Sequence, residues 1–172
     1  MKYLLLDRDG TINIEKEYLS NPDQLEFCTG AVDGLKKLSD AGYIFFIVTN
    51  QSGIGHGIFT REDFNKCMNR LYEMLDKEGI KIESAEFCPH HRGQQCNCRK
   101  PMIGMWESLK QKYPELEPKE CVMVGDKDTD VILGKNIGCT TFRILSKKWP
   151  NEERGDYLVE GLNEVADILL NL

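Results

Sequence analysis

The chain predicts an α/β fold, a doubly wound parallel sheet with helices on both faces, and three observations carry that expectation. Apolar runs of strand length alternate with stretches whose apolar residues recur at helical spacing. The clearest run, Tyr43 to Val48, is nearly continuous, as a strand covered on both faces should be. Strand ends also break into polar or charged residues, as they do where an open sheet presents its carboxyl edge to a ligand.

Tyr3 to Leu6 forms the first strand and stops at Asp7-Arg8-Asp9-Gly10-Thr11. Ile12 to Asn21 has neither helical nor strand period and reads as a loop or small hairpin over that strand end, closing at Asn21-Pro22-Asp23. Gly30 to Ala41 places apolar residues at 32, 35 and 38, a helical stripe, and Gly42 terminates it. Tyr43 to Val48 is the second strand and ends in Thr49-Asn50-Gln51-Ser52-Gly53, with a flexible turn expected from Ile54 to Phe59. Thr60 caps a helix that runs to about Glu78, burying Phe64, Cys67, Leu71 and Leu75. Ile82 to Phe87 is the third strand and enters a cysteine-rich segment. A helix over Ile103 to Tyr113 follows, with Trp106 expected in the core, and then a connection marked by Pro114 and Pro118. Cys121 to Val124 is the fourth strand, ending in Gly125-Asp126-Lys127-Asp128-Thr129-Asp130. Val131 to Ile137 is a helix, Thr140 to Ile144 a fifth strand, and Gly161 to Leu170 a last amphipathic helix.

A length of 172 residues suits a single domain over 1–172, long enough to bury a core. With 41% hydrophobic and 29% charged residues, the composition is that of an ordinary globular protein. The net charge of -6 argues against a nucleic-acid or membrane-surface partner, so an anionic substrate must be held by local cations. No apolar run approaches the ~20 residues of a membrane helix. The chain opens directly on a strand that carries the expected chemistry, which argues against a cleaved leader and makes the cytoplasm the expected compartment. The expected working form is a monomer acting on a small phosphorylated molecule.

Four strand ends bear chemistry: Asp7/Asp9, Thr49/Asn50, the Arg99-Lys100 region and Asp126/Lys127. In a parallel sheet they fall on one edge. Asp7, Asp9 and Asp126 could hold Mg²⁺, which favours carboxylates, waters and substrate phosphate. Thr49 offers a hydroxyl and Lys100 a point charge, so the set suits a transferring phosphoryl group. A carboxylate can attack phosphorus once a cation offsets the repulsion between two anions, and a second carboxylate can move the protons. A non-catalytic phosphosugar-binding module would be expected to lack part of this set, and it is complete.

Cys88-x-His90-x₅-Cys96-x-Cys98 offers three thiolates and an imidazole within 11 residues. Four protein ligands close a tetrahedron and leave no place for water, so the expected ion is a structural Zn²⁺ that pins the loop and fixes Arg99 and Lys100 beyond its last ligand. His91 stands as the alternative to His90. Cys28, Cys67, Cys121 and Cys139 read as plain buried thiols. The Lys147-Lys148-Trp149-Pro150 turn reads as surface.

Asp7-Arg8-Asp9-Gly10-Thr11, Val48-Thr49-Asn50, Lys100 and Gly125-Asp126 resemble the four motifs of the haloacid dehalogenase (HAD) superfamily of phosphatases, over essentially the whole chain. The resemblance implies a Rossmann-like HAD fold with Asp7 as nucleophile, Asp9 as general acid and base, Thr49 and Lys100 as phosphoryl stabilisers and Asp126 as a magnesium ligand. It also implies that the Asp9 position meets the metal through its carbonyl, and that small loops shape the pocket, since the chain is too short for a large cap domain. Absence of a large cap favours hydrolysis over phosphoryl transfer within one substrate. Together with Thr49 to Ile54, Cys88-Pro89-His90-His91, Cys98-Arg99-Lys100-Pro101 and Val124 to Lys127, the motifs are similar to the family of D-glycero-D-manno-heptose 1,7-bisphosphate 7-phosphatases, with histidinol-phosphate phosphatases as near relatives. That similarity favours His90 as the fourth zinc ligand. It implies substrate contacts from Glu15, Tyr18, Asn50, Gln51, Ser52, Arg99 and Lys127. A bisphosphate would need cations for its distal phosphate, which Arg99, Lys127 and Arg61 could supply. The alternative, histidinol phosphate, would want carboxylates such as Glu15 and Glu17 for its cationic end.

Overall fold

A computed structural model describes residues 2–172. Six parallel strands form one sheet in the order β3-β2-β1-β4-β5-β6, so the first strand of the chain lies in the middle. β1 (Tyr3–Leu6) is flanked by β2 (Ile44–Asn50) and β4 (Cys121–Gly125), with Leu6 in register with Ile47 on one side and Val124 on the other. β3 (Ile82–Cys88) forms one edge, and β5 (Thr140–Ile144) and β6 (Tyr157–Val159) the other. Strand order reverses direction between β1 and β4, which is where an open α/β sheet parts its loops and leaves a crevice.

The period-two alternation of each strand splits the core in two. Leu4, Leu6, Phe45, Ile47, Val122 and Val124 face one side. They pack against α1 (Ala31–Asp40), α3 (Arg61–Asp76) and α6 (Leu162–Leu170). Leu5, Phe46, Val48 and Met123 face the other side and meet Met105, Trp106 and Leu109 of α4 (Gly104–Lys112) and Leu133 of α5 (Asp128–Ile137). Both faces are therefore covered, and the apolar strands follow from that. The cap expected at Thr60 is present and closes into a capping box: Asp63 N donates to Thr60 Oγ1 at 3.1 Å and Thr60 N donates back to Asp63 Oδ2 at 2.9 Å. Among the described residues no helix is long and apolar enough to cross a membrane.

Three features differ from expectation. A sixth strand adds Tyr157–Val159 to the sheet, and three residues are too few to display a period. Ser52–Gly55, expected within a polar strand end and a flexible turn, forms one helical turn, α2. α5 starts at Asp128 rather than Val131, because Asp130 caps the backbone N–H of Lys127 at 3.0 Å from within the first turn.

Candidate active site

Asp7 follows β1 directly, and Asp126 follows β4, its neighbour in the sheet, so the crossover of strand order brings the two together. Carboxylate oxygens of Asp7, Asp126 and Asp130 all lie within 4.8 Å of one another, in a buried cluster. Asp130 is the member that sequence reasoning missed. Its only signal was a position one helical turn after Asp126.

Lys100 divides this cluster by function. Its ammonium donates to Asp7 Oδ1 at 2.9 Å, Asp130 Oδ1 at 2.6 Å and the Val48 carbonyl at 2.8 Å, satisfying all three of its protons. Burial opposes charge on Lys100, but the Asp130 and Asp7 carboxylates outweigh it and raise the pKa above the ordinary lysine value. Burial also opposes charge on Asp7, and there Lys100 and then Lys127 prevail, so the carboxyl is held below its usual range. Asp130 spends both oxygens, one on Lys100 and one on the Lys127 amide.

Asp126 has no such partner. Its Oδ1 is buried without a hydrogen bond, and burial, followed by the nearby Asp7 and Asp130 charges, pushes its pKa up to about 9. A buried orphan carboxylate beside two others is what a hard cation would resolve, and Asp7 and Asp126 could serve as its ligands. Gly10 makes the approach possible: it sits at φ +83°, and a Cβ there would lie 2.1 Å from Asp126 Oδ2.

Asp9 stands apart from the acidic cluster. Its carboxylate receives Arg8 (Nη2 to Oδ2, 3.0 Å), Asn13 (Nδ2 to Oδ1, 2.9 Å) and Gln51 (Nε2 to Oδ2, 3.0 Å). Arg8 is fully buried, with its guanidinium 5.5 Å from the Phe64 ring centre. Gln51 also donates to Thr49 Oγ1 at 2.9 Å, which leaves the threonine's own proton free to point at a ligand. Asn50 does different work: its side chain accepts from the Lys100 amide at 2.9 Å and donates to the Lys100 carbonyl at 3.3 Å. That bracket holds the lysine's backbone against the end of β2.

Cys88, His90, Cys96 and Cys98 converge just beyond β3, their ligating atoms within 4.8 Å of one another. Cys88 Sγ lies 3.8 Å from Cys96 Sγ, near the edge of about 3.7 Å that metal–sulfur bonds of about 2.3 Å would give a tetrahedron, 3.4 Å from His90 Nδ1, and closer, 3.0 Å, to Cys98 Sγ. His91 is elsewhere: its Nδ1 accepts from Gly93 N at 2.9 Å and its ring stacks on His56 at 4.6 Å. Cys28, Cys121 and Cys139 lie outside the cluster, and burial first of all pushes them up to about 11, 12 and 12.

A cavity of about 570 Å³ opens beside the carboxylates, with Asp9, Asn50 and Gln51 on its wall. Glu15, Tyr18, Ser52, Arg99 and Lys127, all expected as substrate contacts, also line it. Tyr18 takes φ +51°, unusual for a residue with a side chain, which turns the loop after β1 toward the cavity. Arg61 is not on the wall; it lies 5.4 Å from the Phe87 ring centre. Three residues on the wall were expected only as part of a surface turn: Lys148, Trp149 and Pro150.

The sequence profile of the family described as polynucleotide kinase 3 phosphatase matches residues 2–155. The chain is 34% identical to the D-glycero-beta-D-manno-heptose-1,7-bisphosphate 7-phosphatase of Pasteurella multocida, covering 99% of this chain and 98% of that one. It is 35% identical to the D-glycero-alpha-D-manno-heptose-1,7-bisphosphate 7-phosphatase of Campylobacter jejuni, covering 91% and 87%. A crystal structure of D,D-heptose 1,7-bisphosphate phosphatase from B. bronchiseptica, complexed with magnesium and phosphate, matches with a TM-score of 0.90 at 27% identity, over 99% of both chains.

Proposed function

Because the chain belongs to the polynucleotide kinase 3 phosphatase family and to the D,D-heptose 1,7-bisphosphate phosphatases among HAD-like phosphatases, we propose that it removes the 7-phosphate of D-glycero-D-manno-heptose 1,7-bisphosphate. One observation carries the substrate reading: five cations, Lys16, Arg92, Arg99, Lys127 and Lys148, line a single cavity and outnumber its four carboxylates, Asp9, Glu15, Glu17 and Asp128, in a chain of net charge -6. Such a local reversal of sign suits a small ligand with a second anionic group. A long polyanion would instead meet the repulsion of the whole surface.

In this reading Asp7 attacks the phosphorus of the 7-phosphate, forming an aspartyl-phosphate while the bond to the sugar oxygen breaks. Lys100 keeps Asp7 ionised and close to the phosphoryl oxygens. Thr49 donates its free proton to one of those oxygens. Asp9, outside the acidic cluster and on the cavity wall, gives a proton to the departing sugar oxygen and later takes one from the water that hydrolyses the acyl phosphate. Arg8, Asn13 and Gln51 aim its carboxylate. Mg²⁺, held by Asp7, Asp126 and the Asp9 carbonyl, would neutralise the developing charge. Zn²⁺ in the Cys88, His90, Cys96, Cys98 cluster would serve structure only, since four protein ligands leave it no open position. Seven cysteines free of disulfides fit a reducing compartment such as the cytoplasm.

The test is phosphate release from both anomers of the heptose bisphosphate and from histidinol phosphate, assayed side by side with Mg²⁺. The expected outcome is a kcat/KM for one heptose anomer at least about tenfold above that for histidinol phosphate. A preference for histidinol phosphate overturns the substrate reading and leaves the phosphatase chemistry standing.

A further inference from the structure

The turn after β5 is stitched into a fixed shape. Ser146 Oγ accepts from the amides of Lys148 at 3.1 Å and Trp149 at 3.0 Å, and Asn151 Nδ2 donates to the Ser146 carbonyl at 2.9 Å. Arg143, fully buried at the end of β5, fastens that turn to the rest of the molecule. Its guanidinium donates to Asn151 Oδ1 at 3.1 Å and also pairs with Asp128 at the start of α5. Burying an arginine for this purpose is costly unless its donors are used, and here they hold a wall of the cavity in place. The product of this construction is the position of Trp149, whose ring centre lies 4.4 Å from the Lys127 ammonium and 4.8 Å from that of Lys148.

Two ammonium groups set against one ring concentrate positive charge there, and an aromatic ring alone offsets it only in part. The compensating anion is Glu15. Its Oε1 lies 3.7 Å from Lys148 Nζ and its Oε2 3.9 Å from Lys127 Nζ. Neither contact is short enough for a hydrogen bond, and Glu15 Oε2 is buried without any hydrogen-bond partner. Burial first of all raises the pKa of this carboxyl, so it is a reluctant anion in its place. A loosely held carboxylate between two lysines marks a position that a better anion can take over.

We infer that Lys148 and Trp149 join Lys127 as a clamp for the distal phosphate of the sugar bisphosphate, with Glu15 as its internal counter-ion in the empty enzyme. Substrate binding exchanges one anion for another, and Glu15 swings toward the sugar hydroxyls or the solvent. The clamp recognises the second phosphate rather than the scissile one, and it deepens the bisphosphate reading on which it rests.

Steady-state kinetics of the whole protein on the 1,7-bisphosphate and on the heptose 7-phosphate separate the possibilities. The quantity to read is the ratio of kcat/KM for bisphosphate over monophosphate. Lys148→Gln and Trp149→Leu should each lower that ratio about five- to tenfold, chiefly through KM for the bisphosphate. Lys147→Gln, which removes the same charge from the neighbouring position off the cavity wall, should leave it within twofold of wild type. Glu15→Gln should lower KM for the bisphosphate by removing the competitor. An unchanged ratio in Lys148→Gln, or an equal fall in Lys147→Gln, overturns the clamp, and a raised KM in Glu15→Gln overturns the counter-ion exchange. A wild type indifferent to the distal phosphate defeats the bisphosphate reading itself, a separate result.

Discussion

At the scale of single residues, the site is a set of charges whose partners are divided unevenly. Asp7 and Asp130 share Lys100, while Asp126 is left with none. Replacing Asp7 by Asn keeps the shape and removes the anion proposed to attack phosphorus, and turnover should fall about a thousandfold or more. Circular dichroism should be unchanged, because Lys100 retains Asp130 and the Val48 carbonyl. Residual hydrolysis near the wild-type rate would place the nucleophile elsewhere. Gln51→Leu removes the bridge between Asp9 and Thr49 and should reduce kcat about tenfold with a smaller change in KM, read by initial-rate assays. Asp7, Thr49, Lys100 and Asp126 could be picked out in the sequence because each follows a strand or a loop with its own signature. Asp130 and Arg8 could not, since nothing in one dimension says that a helix-borne carboxylate turns back to a lysine. Asn50 shows the same limit in reverse: its position was visible, but not that its side chain would bracket the Lys100 backbone.

Among the elements, the cysteine loop and the contact of α1 with α6 are the most exposed to a single substitution. The loop has little apolar surface of its own, and its four candidate ligands, holding the proposed Zn²⁺, would supply the order that its core cannot. Cys96→Ser should lose the bound metal, measured by elemental analysis, and lower the melting temperature by at least roughly 5 °C. Unchanged metal content would refute the zinc assignment. Gly34 in α1 lies against α6, where a Cβ would come within 2.3 Å of the Leu162 carbonyl oxygen. Gly34→Ala should therefore cost about 1–3 kcal/mol, read by urea denaturation, despite alanine's better helix propensity. The long elements were legible because strong periods repeat over many residues. β6 and α2 were not, since neither is long enough for its period to repeat.

For the molecule as a whole, the orphaned Asp126 ties stability to acidity. An acid that binds its proton more tightly when folded loses stability as the pH rises between its unfolded and folded values. For Asp126 that window runs from about 3.8 to about 9, and Asp130, also raised, acts in the same sense. Asp7 is held low and acts in the opposite sense, only in the more acid range. With divalent ions chelated, the melting temperature should fall steadily from pH 5 to pH 8, and added Mg²⁺ should restore more of it at pH 8 than at pH 5. Scanning calorimetry checks both, and Asp126→Asn should flatten the slope. A flat profile in the unsubstituted protein would show that the cluster relaxes without a cation. The fold class was readable at this scale because four strand ends advertised one shared edge. The curvature that wraps the turn after β5 onto that edge was not, because it depends on Arg143, a charge that composition would place at the surface.

The central seat of β1 has a consequence for how the protein comes into being. β1, made before the other five strands of its sheet, can pair with β2 early, but its other neighbour, Cys121–Gly125, lies more than a hundred residues further along the chain. Until then one side of the sheet presents bare amides and carbonyls, an edge open to other strands. Such distant pairing is slow to form. Nascent chains arrested before β4 emerges should remain protease-sensitive and prone to stick together, and protection should arrive in one step once β4 is free of the exit tunnel.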